Sequence, residues 1–114
     1  MIFVTGPLYA GKRECARALL GLSEEDFAQE AVWDVQELAE FGKEEAIAES
    51  LAQKRVVIAT ETGCGVIPVS ASEREQREAA GRLACALAER ADTVIRVCCG
   101  IPQLLKGEWP CASC

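Results

Sequence analysis

At 114 residues and a formal charge of -6, with half its residues apolar and 26% charged, the chain is one acidic globular domain of modest core. That balance argues against a nucleic-acid partner, because binding a phosphate backbone needs a basic stripe and none is present. No apolar run approaches bilayer-spanning length and no basic segment precedes the short apolar start, so a cytoplasmic protein with no membrane partner is expected.

The first element is the apolar run Met1 to Thr5, whose β-branched and aromatic residues predict a buried strand. It breaks into Gly6, Pro7, Leu8, Tyr9, Ala10, Gly11, Lys12 and Arg13. Strand, glycine turn and helix in that order are the context of a phosphate-binding loop. Glycines at the first and sixth positions let backbone N–H groups point inward at a phosphate, and Lys12 can reach the terminal phosphates. The full pattern ends in Ser or Thr, whose hydroxyl ligates Mg²⁺; here Arg13 offers donors only, and Pro7 removes one backbone donor. The alternative is an ordinary glycine-rich turn.

Residues 11–20 predict a helix with Cys15, Ala16, Leu19 and Leu20 on one face, ended by Gly21. Ser23 followed by Glu24, Glu25 and Asp26 resembles a capping box, its carboxylates solvated. Ala31, Val32 and Trp33 form a short apolar run ending in Asp34. A carboxylate at the C-terminal end of a parallel strand faces the crevice where such sheets bind ligands, and in phosphate-loop proteins it holds Mg²⁺. Asp34 could equally cap the turn that starts at Val35.

Residues 43–53 predict a second long helix, and Val56 to Ala59 the clearest buried strand. Glu61 follows that strand at the start of a loop shaped by Gly63, Gly65 and Pro68. Ser70 or Ser72 caps a helix whose buried stripe is Ala80, Leu83, Ala84, Leu87 and Ala91. Thr93 to Val97 is the last strand, Gly100 to Gly107 a loop, and 107–114 a loose tail. The expected architecture is therefore a single domain, 1–114: a three-layer α/β fold of the P-loop NTPase kind. Its small parallel sheet has about four strands with helices on both faces. So short a chain leaves sheet edges poorly covered, and homo-oligomers are expected.

Seven cysteines and no histidine complete the inventory. Without an export signal the cysteines are expected as thiols; Cys15 and Cys85 fall on apolar helix faces and behave as small hydrophobes. Cys98 and Cys99 close a strand. Cys111 and Cys114 have the spacing of half a metal site or a redox pair, which Cys64, Cys99 or a second subunit could complete, although a reduced tail is the favoured reading.

Three segments, Val57 to Pro68 (VIATETGCGVIP), Gln76 to Arg82 (QREAAGR) and Gly100 to Gly107 (GIPQLLKG), give the chain a family resemblance. Together with the loop at 6–13, they resemble the bifunctional adenosylcobinamide kinase/adenosylcobinamide-phosphate guanylyltransferases of cobalamin synthesis. The resemblance implies binding of ATP or GTP with Mg²⁺ and phosphoryl transfer to a hydroxyl of a cobinamide-type molecule. Lys12, Asp34 and Glu61 would carry the catalysis, Asp34 and Glu61 would hold the metal, and Gly6 to Arg13 would hold the nucleotide. Departures accompany it. The segment between the first helix and Asp34 is short, the histidine that the family guanylylates has no counterpart, and Ala84 and Cys85 replace Asn and Gln. Guanylyl transfer is therefore not expected of these residues. A non-catalytic relative serving as a nucleotide-binding or interaction module is the alternative, and a cysteine-based redox or metal role is a third.

Overall fold

The computed structural model describes residues 1–61 and 70–110. Strand β1 (Ile2–Gly6) lies at the centre of the sheet, between β3 (Val56–Thr60) and β4 (Thr93–Cys98), both parallel to it. Ile2 sits opposite Val56 on one side and Thr93 on the other. The two-residue β2 (Ala31–Val32) extends the sheet beyond β3, giving the order β2-β3-β1-β4-β5.

Alternation along the strands sorts the core into two layers. Val4, Ile58, Ile95 and Val97 pack with Ala16 and Leu20 of α1 (Lys12–Leu20) and Phe27 of α2 (Glu24–Glu30). Phe3, Val57, Ala59 and Val94 pack on the other face, with Ala48 of α3 (Glu44–Leu51) and Leu83 and Leu87 of α4 (Ala71–Arg90). This is the three-layer α/β fold expected from the sequence.

The chain leaves β1 for one face and β3 for the other, so the two connections diverge above the paired ends of these strands. Crevices at such a reversal are where open α/β sheets bind ligands.

Two expectations need correction. Gly100 to Gly107, expected as a loop, forms a fifth strand, β5 (Ile101–Lys106), antiparallel to β4. The cause is the pair Cys99 (φ 54) and Gly100 (φ 73), which make a tight turn with both central residues left-handed and bring Cys98 opposite Ile101. Pro102 is tolerated because β5 is an edge strand. On α4 the buried side is Ala79, Ala80, Leu83, Ala86 and Leu87. Cys85, expected on the apolar face, is exposed because it lies two residues from Leu87, on the opposite side of the helix. Ala84 is only half buried.

Helix caps follow the sequence. Ser70 Oγ accepts a hydrogen bond from Glu73 N at 3.2 Å, and Ser23 Oγ one from Asp26 N at 3.2 Å. Among the described residues no helix is long and apolar enough to cross a membrane. Beyond β5 the chain is still tied to the sheet, by a 3.1 Å bond from Thr93 Oγ1 to the Glu108 carbonyl. Cys64, Cys111 and Cys114 lie outside the described residues.

Candidate functional site

The loop from Gly6 to Gly11 is held from three sides. Glu61 N donates to the Gly6 carbonyl at 2.8 Å, tying the loop to the end of β3. Gly100 N donates to the Ala10 carbonyl at 2.8 Å, tying it to the β4–β5 turn. A Cβ at Gly6 would overlap the Val97 carbonyl oxygen, so only glycine lets β1 and β4 close beneath the loop. Tyr9 and Gly11 both take positive φ, 59 and 81, which folds the chain back toward the first turn of α1.

Lys12 opens α1 and is 9% exposed. Its Nζ donates to the Pro7 carbonyl at 2.7 Å, so the ammonium reaches back across its own loop. Burial pushes its pKa below the ordinary value, and the nearby negative charges of Asp34 and Glu61 partly restore it. The three residues read from sequence as the catalytic set thus converge in space.

Their environments differ. Glu61 is gripped by Arg96 of β4: Nε meets Oε2 at 2.8 Å and Nη2 meets Oε1 at 2.9 Å. That fork, first through its hydrogen bonds, holds the Glu61 pKa below the ordinary glutamate value despite partial burial. Coordination of a metal by Glu61 would therefore have to draw it off the guanidinium. Asp34 adopts left-handed backbone (φ 56, ψ 35) at the head of the 3-10 turn Val35–Leu38, and its side chain makes no capping bond. Its carboxylate is left to the cavity.

That cavity has a volume of about 500 Å³ and is lined by Leu8 to Glu14 on one side and by Trp33, Asp34, Ile58 and Thr60 on the other. Arg13 swings to the Asp34 side, its guanidinium carbon 5.1 Å from the centre of the Trp33 ring. Among the described residues no cluster of three or more His, Cys, Asp or Glu is positioned to hold a metal ion.

Arg96 was not singled out from sequence, yet an arginine inside an otherwise apolar buried strand is a readable anomaly. Gln36 also escaped notice. Its Oε1 accepts from Thr60 N at 2.9 Å, which anchors the end of β3, and nothing in its sequence surroundings signals that.

A glycine-turned loop at the reversal point of a mainly parallel sheet, with a buried lysine and two carboxylates near it, defines an α/β protein with a candidate ligand site at the carboxyl ends of the strands. The family model for cobinamide kinase / cobinamide phosphate guanyltransferase matches residues 27–105, and the chain belongs to that family. The match includes Asp34, Glu61 and Arg96, while the loop at 6–13 lies outside it. The chain is also similar to the bifunctional adenosylcobalamin biosynthesis protein CobP of Pseudomonas aeruginosa, 37% identical over 70 residues. That alignment covers 59% of this chain and 40% of the relative, so the chain spans less than half the length of the curated protein it matches.

Proposed function

We propose that the protein binds a nucleoside triphosphate, ATP or GTP, and transfers its terminal phosphoryl group to an alcohol of a cobinamide-type molecule, within cobalamin biosynthesis. The observation that carries the reading is that buried Lys12 and exposed Asp34 line the cavity beside the glycine loop, with the charge of Glu61 also close to Lys12. Family membership supports the acceptor class. Phosphoryl transfer asks a protein mainly for positioning and charge stabilisation.

Loop amides hold the phosphates, and the Lys12 ammonium leaves the Pro7 carbonyl to meet the transferring group. Asp34 positions the acceptor hydroxyl and takes up its proton. Glu61, clamped by Arg96, fixes the end of β3 and adds negative charge that keeps Lys12 protonated. The residues fit Mg²⁺ through Asp34, which suits an ion held by one or two carboxylates together with substrate phosphates. Bound there, Mg²⁺ would neutralise charge on the phosphates. Guanylyl transfer is not proposed, because these residues include no histidine to carry the nucleotide.

Arg13 favours a second reading, a nucleotide-binding module without catalysis. Its guanidinium stands where a metal-binding hydroxyl is usual and can hold phosphate oxygens directly. In either reading the protein associates with itself along β5, whose Ile101 and Leu105 are exposed on an edge that no strand pairs among the described residues. Light scattering on the purified protein measures that association.

Calorimetric titration of ATP and GTP, with and without Mg²⁺, against wild type and Lys12→Ala tests the proposal. Mg²⁺-dependent binding lost in the variant, followed by phosphorylation of cobinamide, is expected. Tight binding indifferent to Mg²⁺ would favour the module, and no binding would end both readings.

A further inference from the structure

Beside the loop cavity, between α1 and α2, lies a second recess of about 280 Å³. Arg13, Glu14 and Trp33 line both, so the two adjoin across these side chains. Its floor is Phe27, Ala28 and Trp33, with the two rings parallel (2°) and their centres 6.3 Å apart. Its rim is charged, with Arg13 and Arg17 on α1 facing Glu24 at the start of α2.

The arginines are the unusual feature. Arg13 and Arg17 are four apart on one helix, so they share a side and repel each other. Arg55, Arg82, Arg90 and Arg96 each meet a carboxylate at 2.7 to 2.8 Å. Among the described residues Arg13 and Arg17, like Arg74 of α4, have no ion pair, and of these only Arg13 and Arg17 line a recess that also holds Glu14 and Glu24. Arg13 rests on Trp33 instead, a contact worth only about 0.5–1 kcal/mol at an exposed site. Two guanidiniums that repel each other, have no carboxylate partner among the described residues and line a recess with aromatic walls make a seat for a flat or tetrahedral anion.

We propose that this recess is an anion subsite, which takes a phosphate or carboxylate group of a ligand that also reaches the loop cavity. Arg17 is its anchor and Arg13 its movable second contact. Binding draws Arg13 off Trp33, so the indole reports occupancy. The subsite deepens the kinase reading, because it lies on the Asp34 side of the loop where that reading puts the acceptor.

The test uses full-length protein carrying Trp109→Phe, so that Trp33 is the sole tryptophan, and inorganic phosphate as the probe. In a Lys12→Ala background, which removes the loop site, phosphate is expected to bind by calorimetry and to change Trp33 emission. Arg17→Gln should weaken that binding about tenfold or more, the effect of losing one charge-assisted contact, and Arg17→Lys should recover part of it. Circular dichroism checks that each variant is folded. Phosphate binding and emission unchanged by Arg17→Gln, or no phosphate binding in the Lys12→Ala background, would overturn the subsite. With Lys12 intact, saturating ATP separates the sources. Phosphate that still binds assigns the group to a separate acceptor, and phosphate that is displaced assigns it to the nucleotide. ATP affinity unchanged by Lys12→Ala would instead sink the nucleotide reading and leave the subsite standing.

Discussion

Gly6→Ala puts the loop's foundation under direct test. Gly6 follows Thr5, which pairs with Arg96 in the centre of the sheet, and its φ of 155 is one that L side chains rarely adopt. A Cβ there would overlap the Val97 carbonyl oxygen, a backbone atom of the central strand β4 that cannot swing aside as a side chain could. Backbone strain contributes roughly 1–3 kcal/mol and forced overpacking a similar amount, so a loss of about 4 kcal/mol is expected. Against a typical total of about 5–15 kcal/mol, that is a large fraction. For a domain of this size it corresponds to roughly 15 °C in Tm. The control is Gly21→Ala, at φ 66 with nothing within 4 Å of the added atom, where only the left-handed backbone penalty of about 1 kcal/mol applies. Urea and thermal unfolding of both variants measure the difference. Equal losses would show that the close approach of β1 and β4 does not require glycine.

Ser70→Ala removes the cap of α4 and should cost about 1 kcal/mol, read as a shift in urea midpoint without change of slope. Arg96→Met should flatten the acid limb of stability. The folded Glu61 pKa lies below its ordinary value of 4.5, so its contribution is present above that value and is lost as pH falls through the folded one. Urea titrations at pH 7 and pH 3 would show the wild type losing more than the variant. Lys12 has the opposite sign: its folded pKa lies below 10.5, so wild type should gain stability as pH rises through the folded value toward 10.5. Lys12→Met should erase that gain, and a wild-type curve that only falls with pH would count against the buried ammonium.

Four strands, both helix caps and the glycine loop were legible because each depends on local pattern: apolar runs, Ser three residues before a carboxylate, glycine after a strand. β5 was not, since its hydrophobic residues alternate weakly and its pairing depends on the left-handed backbone of Cys99, a conformation no residue type announces. Lys12, Asp34 and Glu61 could be picked out because they fall at strand ends or in the loop. Their relations could not, because Arg96 lies 35 residues from Glu61 and reaches it only once β4 is laid beside β1. Arg13 was read as a lost metal ligand. That it rests on Trp33 follows from how β2 brings the indole beside α1, which no spacing reveals.

The position of Arg13 bears on how the site balances charge. Lys12 and Arg96 offset Asp34 and Glu61, so the convergent residues alone offer no net positive charge to a triphosphate. The missing charge has two sources, an ion held by Asp34 or Arg13 itself. Exchanging a cation–π contact of about 0.5–1 kcal/mol for a charge-assisted bond of about 1.5–3 kcal/mol favours moving Arg13 onto a phosphate. The same guanidinium then serves the loop or the recess, but not both. A nucleotide that captures Arg13 leaves Arg17 alone to hold an anion in the recess, whereas one that brings its own Mg²⁺ leaves Arg13 there. If the protein binds its nucleotide as proposed, magnesium governs the recess as well as the loop, and a metal-free nucleotide should weaken phosphate binding at Arg17 more than its Mg²⁺ complex does.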